Sequence, residues 1–277
     1  MHVHALSIDD ARARLGTGAW LDVRDEPAFA AGHLPGAGHV PESDWERRTA
    51  ELPPRDEPVV VVADDPGVAQ RVADRMEASG FAHADWLERP WRELGVAADR
   101  GPAARLWRPA PFLERVLPAI PRGRALDLAC GSGRDAVFLA MHDFDVEACD
   151  RDAAALETVE RIARRHGVAV TTRRIDLEAP EAALGESAWD LIVCVRFLER
   201  PLFPAIARAL APGGHLVYDT YREGQERFGK PRRARFLLRP GELRAAFVGL
   251  DVLAYEEPSP PGGPWTARLH ARRGTGA

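Results

Sequence analysis

Apolar positions fall into two alternating patterns, short unbroken runs and helically spaced sets, and the alternation occurs in two blocks. In the first block, Ala19-Trp-Leu-Asp-Val23 and Val59-Val-Val-Val62 are brief apolar runs, the second bounded by Pro58 and Asp64, and they predict buried parallel strands. Val68, Val72, Ala73 and Met76 recur at helical spacing before Gly80, a good C-cap, which predicts a helix over 68–79. In the second block the pattern predicts strands over 125–129, 145–149, 169–173, 190–195 and 215–220, with helices over 135–141, 153–166 and 205–210. A helix over 241–247 and extended stretches over 250–256 and 265–271, joined by the Pro/Gly-rich 258–264, follow. Right-handed crossovers then lead to a doubly wound, Rossmann-like parallel sheet with helices on both faces, seven strands in all, closed by an antiparallel hairpin. Between the blocks, Pro102, Pro109, Pro111, Pro118 and Pro121 interrupt every pattern except a short helical stretch over 112–117. The expected division is an α/β domain over 1–95, a linker with a docking helix over 96–123, and the larger α/β domain over 124–277.

Composition narrows the class without naming a partner. The chain has 277 residues, 45% hydrophobic and 29% charged, enough for two cores, so wholesale disorder is excluded. No apolar run nears the roughly 18–20 residues that cross a bilayer, and Met1-His2-Val3-His4 lacks the basic and apolar regions of a signal peptide. A cytoplasmic protein with no membrane partner is expected. Cys130, Cys149 and Cys194 lack CxxC spacing, so reduced buried thiols are expected, with neither a disulfide framework nor a metal site. Residues 1–105 hold 12 basic and 19 acidic side chains, against 25 and 23 beyond. A net of −7 in the first part disfavours nucleic acid as a partner.

Residues 20–41 include Asp22-Val-Arg24 and Gly32-His-Leu-Pro-Gly-Ala-Gly-His-Val-Pro41, and over about 5–95 the chain resembles the rhodanese-like family. That resemblance implies a cysteine at the end of the strand over 58–62, whose thiolate takes up sulfur beside a loop arginine. Ala63 and Val68 stand in those two places, with Asp64 and Asp65 adding negative charge. A catalytically inactive scaffold is expected, and recruitment of a protein partner by this domain stays open. His33 and His39 are read as structural loop residues.

The richest chemistry lies in Leu126-Asp-Leu-Ala-Cys-Gly-Ser-Gly-Arg-Asp135, a strand running through a glycine turn into a helix. Gly131 and Gly133 let backbone lie against a ligand, a feature shared with dinucleotide-binding folds. Asp127 is suited to an ammonium, Asp150 to two ribose hydroxyls and Asp176 to an adenine amino group, three aspartates at three successive strand ends. A ligand that is part amino acid, part ribose and part adenine is S-adenosylmethionine. With Ala211-Pro-Gly-Gly-His-Leu216 and the final hairpin, residues 105–272 resemble the class I S-adenosylmethionine-dependent methyltransferases. The stretch 126–140 together with Phe144-Asp-Val-Glu-Ala-Cys-Asp150 is similar to the tellurite-resistance methyltransferase group, apart from Ala129 in place of a glycine and a different segment after the fourth strand. Candidate cofactor contacts are Asp127, Ala129, Cys130, Gly131, Gly133, Arg134, Asp150, Arg151, Asp176, Leu177 and Val195. Acceptor contacts should come from the ends of the fourth and fifth strands and the basic loop beyond, giving Arg196, Tyr218, Arg227 and Arg232, with Asp219 or Tyr221 as general base. The acceptor is expected to be small and either anionic or a thiol or chalcogen compound. A non-catalytic cofactor-binding scaffold and an RNA methyltransferase are the alternatives.

Overall fold

The computed structural model describes residues 3–179 and 183–275; the Met1-His2 opening lies outside them. Two compact units divide the chain, 1–108 and 109–277.

The first unit is a five-stranded parallel sheet of β1 (Ala5–Leu6), β2 (Ala19–Asp22), β3 (Gly38–His39), β4 (Val59–Val62) and β5 (Ala84–Leu87), in the order β1-β5-β4-β2-β3. Its helices are α1 (Ile8–Ala13), α2 (Glu26–Ala31), α3 (Trp45–Arg48) and α4 (Pro66–Ala78). The four valines of β4 are buried on both faces, Val59 and Val61 against Val72 and Met76, Val60 and Val62 against Trp20 and Trp91. That two-sided burial is why the strand reads as an unbroken β-branched run. Helix α4 starts two residues before its apolar pattern, because Asp65 caps the Gly67 N–H at 2.9 Å and Pro66 suits the first turn.

The stretch 96–123, expected as one linker, is shared between the units. The Ala104 N–H donates to the Ala37 carbonyl at 2.9 Å, Asp99 bridges to His33, and Leu106 fills the space left by the missing side chain of Gly38. Proline-rich composition here marks irregular backbone, not separation. Residues from Pro109 onward belong to the second unit, where α5 (Pro111–Val116) buries Phe112 and Leu113.

The second unit carries β6 (Arg124–Leu128), α6 (Arg134–Ala140), β7 (Asp145–Asp150), α7 (Ala153–Arg165), β8 (Thr171–Arg174), β9 (Trp189–Val195), α8 (Phe203–Ala209), β10 (Leu210–Tyr221), α9 (Glu242–Ala246), β11 (Asp251–Glu256) and β12 (Thr266–Arg272). The strand order is β11-β12-β10-β9-β6-β7-β8, parallel except that β12 runs antiparallel to both neighbours. The order reverses direction between β6 and β9, and a ligand crevice is expected at the carboxyl ends of those strands. Helix α7 shows the logic of the covering layer: Leu156, Val159, Ile162 and Ala163 face the core, while the Asp152 side chain caps Ala154. Among the described residues, no helix is long and apolar enough to cross a membrane.

Candidate functional site

At the carboxyl edge of β6 the backbone takes three positive-φ steps, at Ala129 (53°), Gly131 (52°) and Gly133 (77°). The two glycines do different work. A side chain at Gly133 would run into Val159, so its absence lets α6 lie against α7, whereas a Cβ on Gly131 would meet nothing within 4 Å. The open side of Gly131 is room for a ligand beside bare backbone. Ala129 carries a left-handed conformation with a Cβ in place, a strain of about 1 kcal/mol held by its surroundings.

Asp150, the last residue of β7, fastens this loop. Its Oδ2 accepts the Gly131 N–H and its Oδ1 the Asp152 N–H, both at 2.9 Å. Asp176 is exposed and accepts the Glu178 N–H at 3.0 Å. Both line a cavity of about 480 Å³ in which Ala129, Arg151, Ile175, Leu177 and Glu178 form the rest of the same side. Asp127 is elsewhere. It is buried beneath the loop at 2% exposure, off the cavity wall, and its Oδ2 has no partner. Burial and the nearby Asp135 push its carboxyl well above the usual carboxylate range. Arg134 starts α6 on the exposed surface, and Cys130 is tied through its N–H to the Cys149 carbonyl. Burial pushes all three thiols up, Cys149 to about 12, so none is a thiolate near neutral pH.

The opposite side of the cavity comes from β9, β10 and the following loop: Arg196, Phe197, Thr220, Tyr221, Lys230 and Phe236. Arg196 follows Val195 at φ 60°, with its N–H on the Asp219 carbonyl at 2.7 Å and its guanidinium 4.5 Å over the Tyr221 ring. Asp219 is buried behind this wall. Arg268 Nε is 3.3 Å from one carboxylate oxygen and Arg196 is 3.9 Å from the other; burial still raises its pKa against the pull of both. Tyr218 is a core residue whose hydroxyl donates to the Phe197 carbonyl at 3.1 Å. Arg227 and Arg232 line a neighbouring cavity and not this one.

Sequence reasoning did not single out Ile175, Glu178, Pro231 or Phe236. Their signal was weak, since each reaches the wall through a loop of no recognisable motif. Among the described residues, no group of His, Cys, Asp or Glu side chains is arranged to hold a metal ion.

In the first unit, Ala63 stands at the end of β4 beside a cavity of about 340 Å³. Asp22 grips the buried Arg24 at 2.6 Å, and Asp64 lies 3.5 Å from its other terminal nitrogen. The Val68 and Ala69 N–H groups are spent on the Asp65 carbonyl within the start of α4. His33 and His39 stack on Phe29, as structural loop residues do.

The glycine turn open at Gly131, the ribose-suited Asp150 with lone pairs to spare, and a cavity divided between an acidic and a basic side fit S-adenosylmethionine. Fold and site define an S-adenosylmethionine-dependent methyltransferase, preceded by a rhodanese-like domain. The chain belongs to the family of tellurite resistance protein TehB, whose family model matches residues 113–259; a second model, rhodanese-like domain, matches 7–93. An uncharacterized protein of Schizosaccharomyces pombe, UNK4.09, is 23% identical over 81% of this chain and 83% of its own length. The ubiquinone biosynthesis O-methyltransferase of Alkalilimnicola ehrlichii is 31% identical over 39% of this chain, which spans 46% of that enzyme. TehB of Haemophilus influenzae shares the fold, with a TM-score of 0.50 and 18% identity over 58% of this chain and 61% of that one.

Proposed function

We propose that the chain methylates a small acceptor that arrives already ionised, a thiolate, a chalcogen oxyanion or a carboxylate, and that the rhodanese-like unit is a non-catalytic scaffold. One observation carries the acceptor reading: the β9–β10 side of the cavity presents Arg196 and Lys230 and no carboxylate, because Asp219 is turned onto Arg268. When bound, S-adenosylmethionine supplies a methyl group on a positively charged leaving group. Gly131, Asp150, Asp176 and Leu177 hold the donor, with Ala129, Cys130, Arg151 and Val195 shaping the cradle and Gly133 letting α6 pack beneath it. Asp127 supports the loop from beneath, and Arg134 opens α6 on its outer side. Arg196 and Lys230 anchor the acceptor's charge, while Phe197 and Phe236 exclude water. Tyr221 and Asp219 act through Arg196, one under its guanidinium and one behind it, so no proton need be removed at the reacting atom.

The test is formation of the demethylated cofactor with thiols, chalcogen oxyanions, small carboxylates, amines and alcohols in parallel. Turnover is expected with the anions, and Arg196→Ala should lower kcat/KM by about 2–3 kcal/mol, roughly 30- to 150-fold. Turnover confined to amines or alcohols overturns the acceptor reading, and none with any acceptor favours the non-catalytic alternative.

For the first unit, support comes from Ala63 offering no nucleophile and from the Asp64 carboxylate standing by Arg24 where a substrate anion would need positive charge. Thiosulfate and cyanide should give no thiocyanate. Ala63→Cys alone should stay inactive, because Asp64 and Val68 leave a new thiolate without stabilisation; activity in that variant would reject this account.

A further inference from the structure

The loop between β10 and α9 has two faces. Lys230, Pro231 and Phe236 turn to the cofactor cavity, while Arg222, Arg227 and Arg232 line a second cavity of about 600 Å³ together with Glu223, Glu226 and Trp265, and no residue lines both. Gly224 has φ 101°, and Trp265 lies where its side chain would be; the Trp265 N–H donates to the buried Gln225 at 2.8 Å. Trp265 in turn holds two guanidinia, Arg222 at 4.8 Å and Arg227 at 5.5 Å from the ring.

Many arginines of this chain sit against a carboxylate, among them Arg12, Arg14, Arg24, Arg48, Arg173 and Arg200. Among the described residues, Arg222, Arg227 and Arg232 have none. Glu226, their neighbour, instead accepts the Gly224 N–H at 2.8 Å. Arg222 further has an Nε–H that is shielded from solvent and meets no acceptor, although its terminal nitrogens reach the Glu223 carbonyl and Ser259. A shielded donor without an acceptor is unfavourable unless something from outside supplies one. Guanidinia stacked on an indole keep their N–H edges free and lose little freedom on gripping an oxyanion.

We propose that this cavity is a second binding site, for a phosphate-like oxyanion held by Arg222, Arg227 and Arg232 and separate from the methyl-transfer cavity. The site is independent of the acceptor reading, since binding is measured without any acceptor. Its loop is also the wall that carries Lys230, so an anion here braces the acceptor side from behind. Arg200, just ahead of α8, secures the same segment by donating to the Arg235 and Leu237 carbonyls at 2.8 Å.

The test is calorimetry of the full chain with sodium phosphate against sodium chloride at equal ionic strength, with the tryptophan fluorescence change that is lost in Trp265→Phe as a second readout. Saturable binding to phosphate and not to chloride is expected. Arg227→Gln with Arg232→Gln should weaken it at least tenfold, leaving the melting temperature unchanged and affinity for the demethylated cofactor within twofold. Arg227→Lys with Arg232→Lys should fall between, since lysine keeps the charge and loses the paired donors. A phosphomonoester arm separates sources: tighter binding than inorganic phosphate means the anion is carried on an organic molecule. Phosphate heats equal to the chloride control, or binding unchanged in the glutamine variant, overturn the site.

Discussion

Asp150→Ala should weaken binding of the demethylated cofactor by two orders of magnitude or more. The carboxylate holds the Gly131 and Asp152 N–H groups at 2.9 Å each, and its remaining lone pairs are those suited to ribose hydroxyls. Charge-assisted bonds of this kind contribute about 1.5–3 kcal/mol each, so two lost together correspond to about 3 kcal/mol at the least, a hundredfold in affinity. Asp150→Asn should recover part, because its amide oxygen still accepts one N–H. Calorimetry of both variants, with circular dichroism to show that they fold, makes the comparison. Near-native affinity in the alanine variant would remove Asp150 from the cofactor site.

Acidification should destabilise the second unit through a histidine pair far from the chemistry. His215 on β10 and His270 on β12 are buried, with Nδ1 and Nε2 2.9 Å apart. One nitrogen must donate and the other accept, so protonating the acceptor breaks the bond and places two cations side by side. Burial, then the His215 charge, brings His270 down to about 4, and burial followed by Arg272 lowers His215. Both folded-state values lie below that of an exposed histidine, about 6.5, so the unfolded chain binds protons first. The pair's stabilisation is therefore complete above about pH 6.5 and is lost as pH falls toward 4, a change of about 3 kcal/mol for His270. Asp127 and Asp135, whose pKa values are raised, act in the opposite sense, so the informative quantity is a difference between proteins. Thermal melts from pH 7.5 to 4.5 should fall less steeply in His270→Gln than in the parent. Parallel curves would mean that the pair does not titrate.

How much was legible in the sequence depended on the range of the forces involved. Val59–Val62, the glycine turn and the strand–helix alternation are local patterns, and the parallel sheets follow from them. Boundaries moved where a cap or a distant partner decided them, as Asp65 does for α4 and Ala37 and Gly38 do for residues 104–106. Three strand-end aspartates looked equivalent in one dimension, yet Asp150 and Asp176 line the cavity while Asp127 lies under the loop. Asp127 lies inside the central strand β6, paired with β7 on one side and β9 on the other, whereas Asp150 ends β7 and Asp176 lies beyond the end of β8, a placement that only the sheet order decides. The two faces of the basic loop were hidden for another reason. They depend on Trp265 seating at Gly224, across a separation of some forty residues that no local pattern encodes.

The reversal of strand order between β6 and β9 has a consequence for how such a chain changes over generations. Everything on the donor side of the cavity lies within 129–178, and everything on the opposite side within 196–236. Two consecutive segments thus face each other across one crevice, each hung from its own strands. On the proposed reading, insertions, exchanges or recombination downstream of Val195 recast what the enzyme modifies while the half assigned to the nucleoside is inherited intact. The sheet of the second unit is in this respect a lineage's fixed handle with an interchangeable blade.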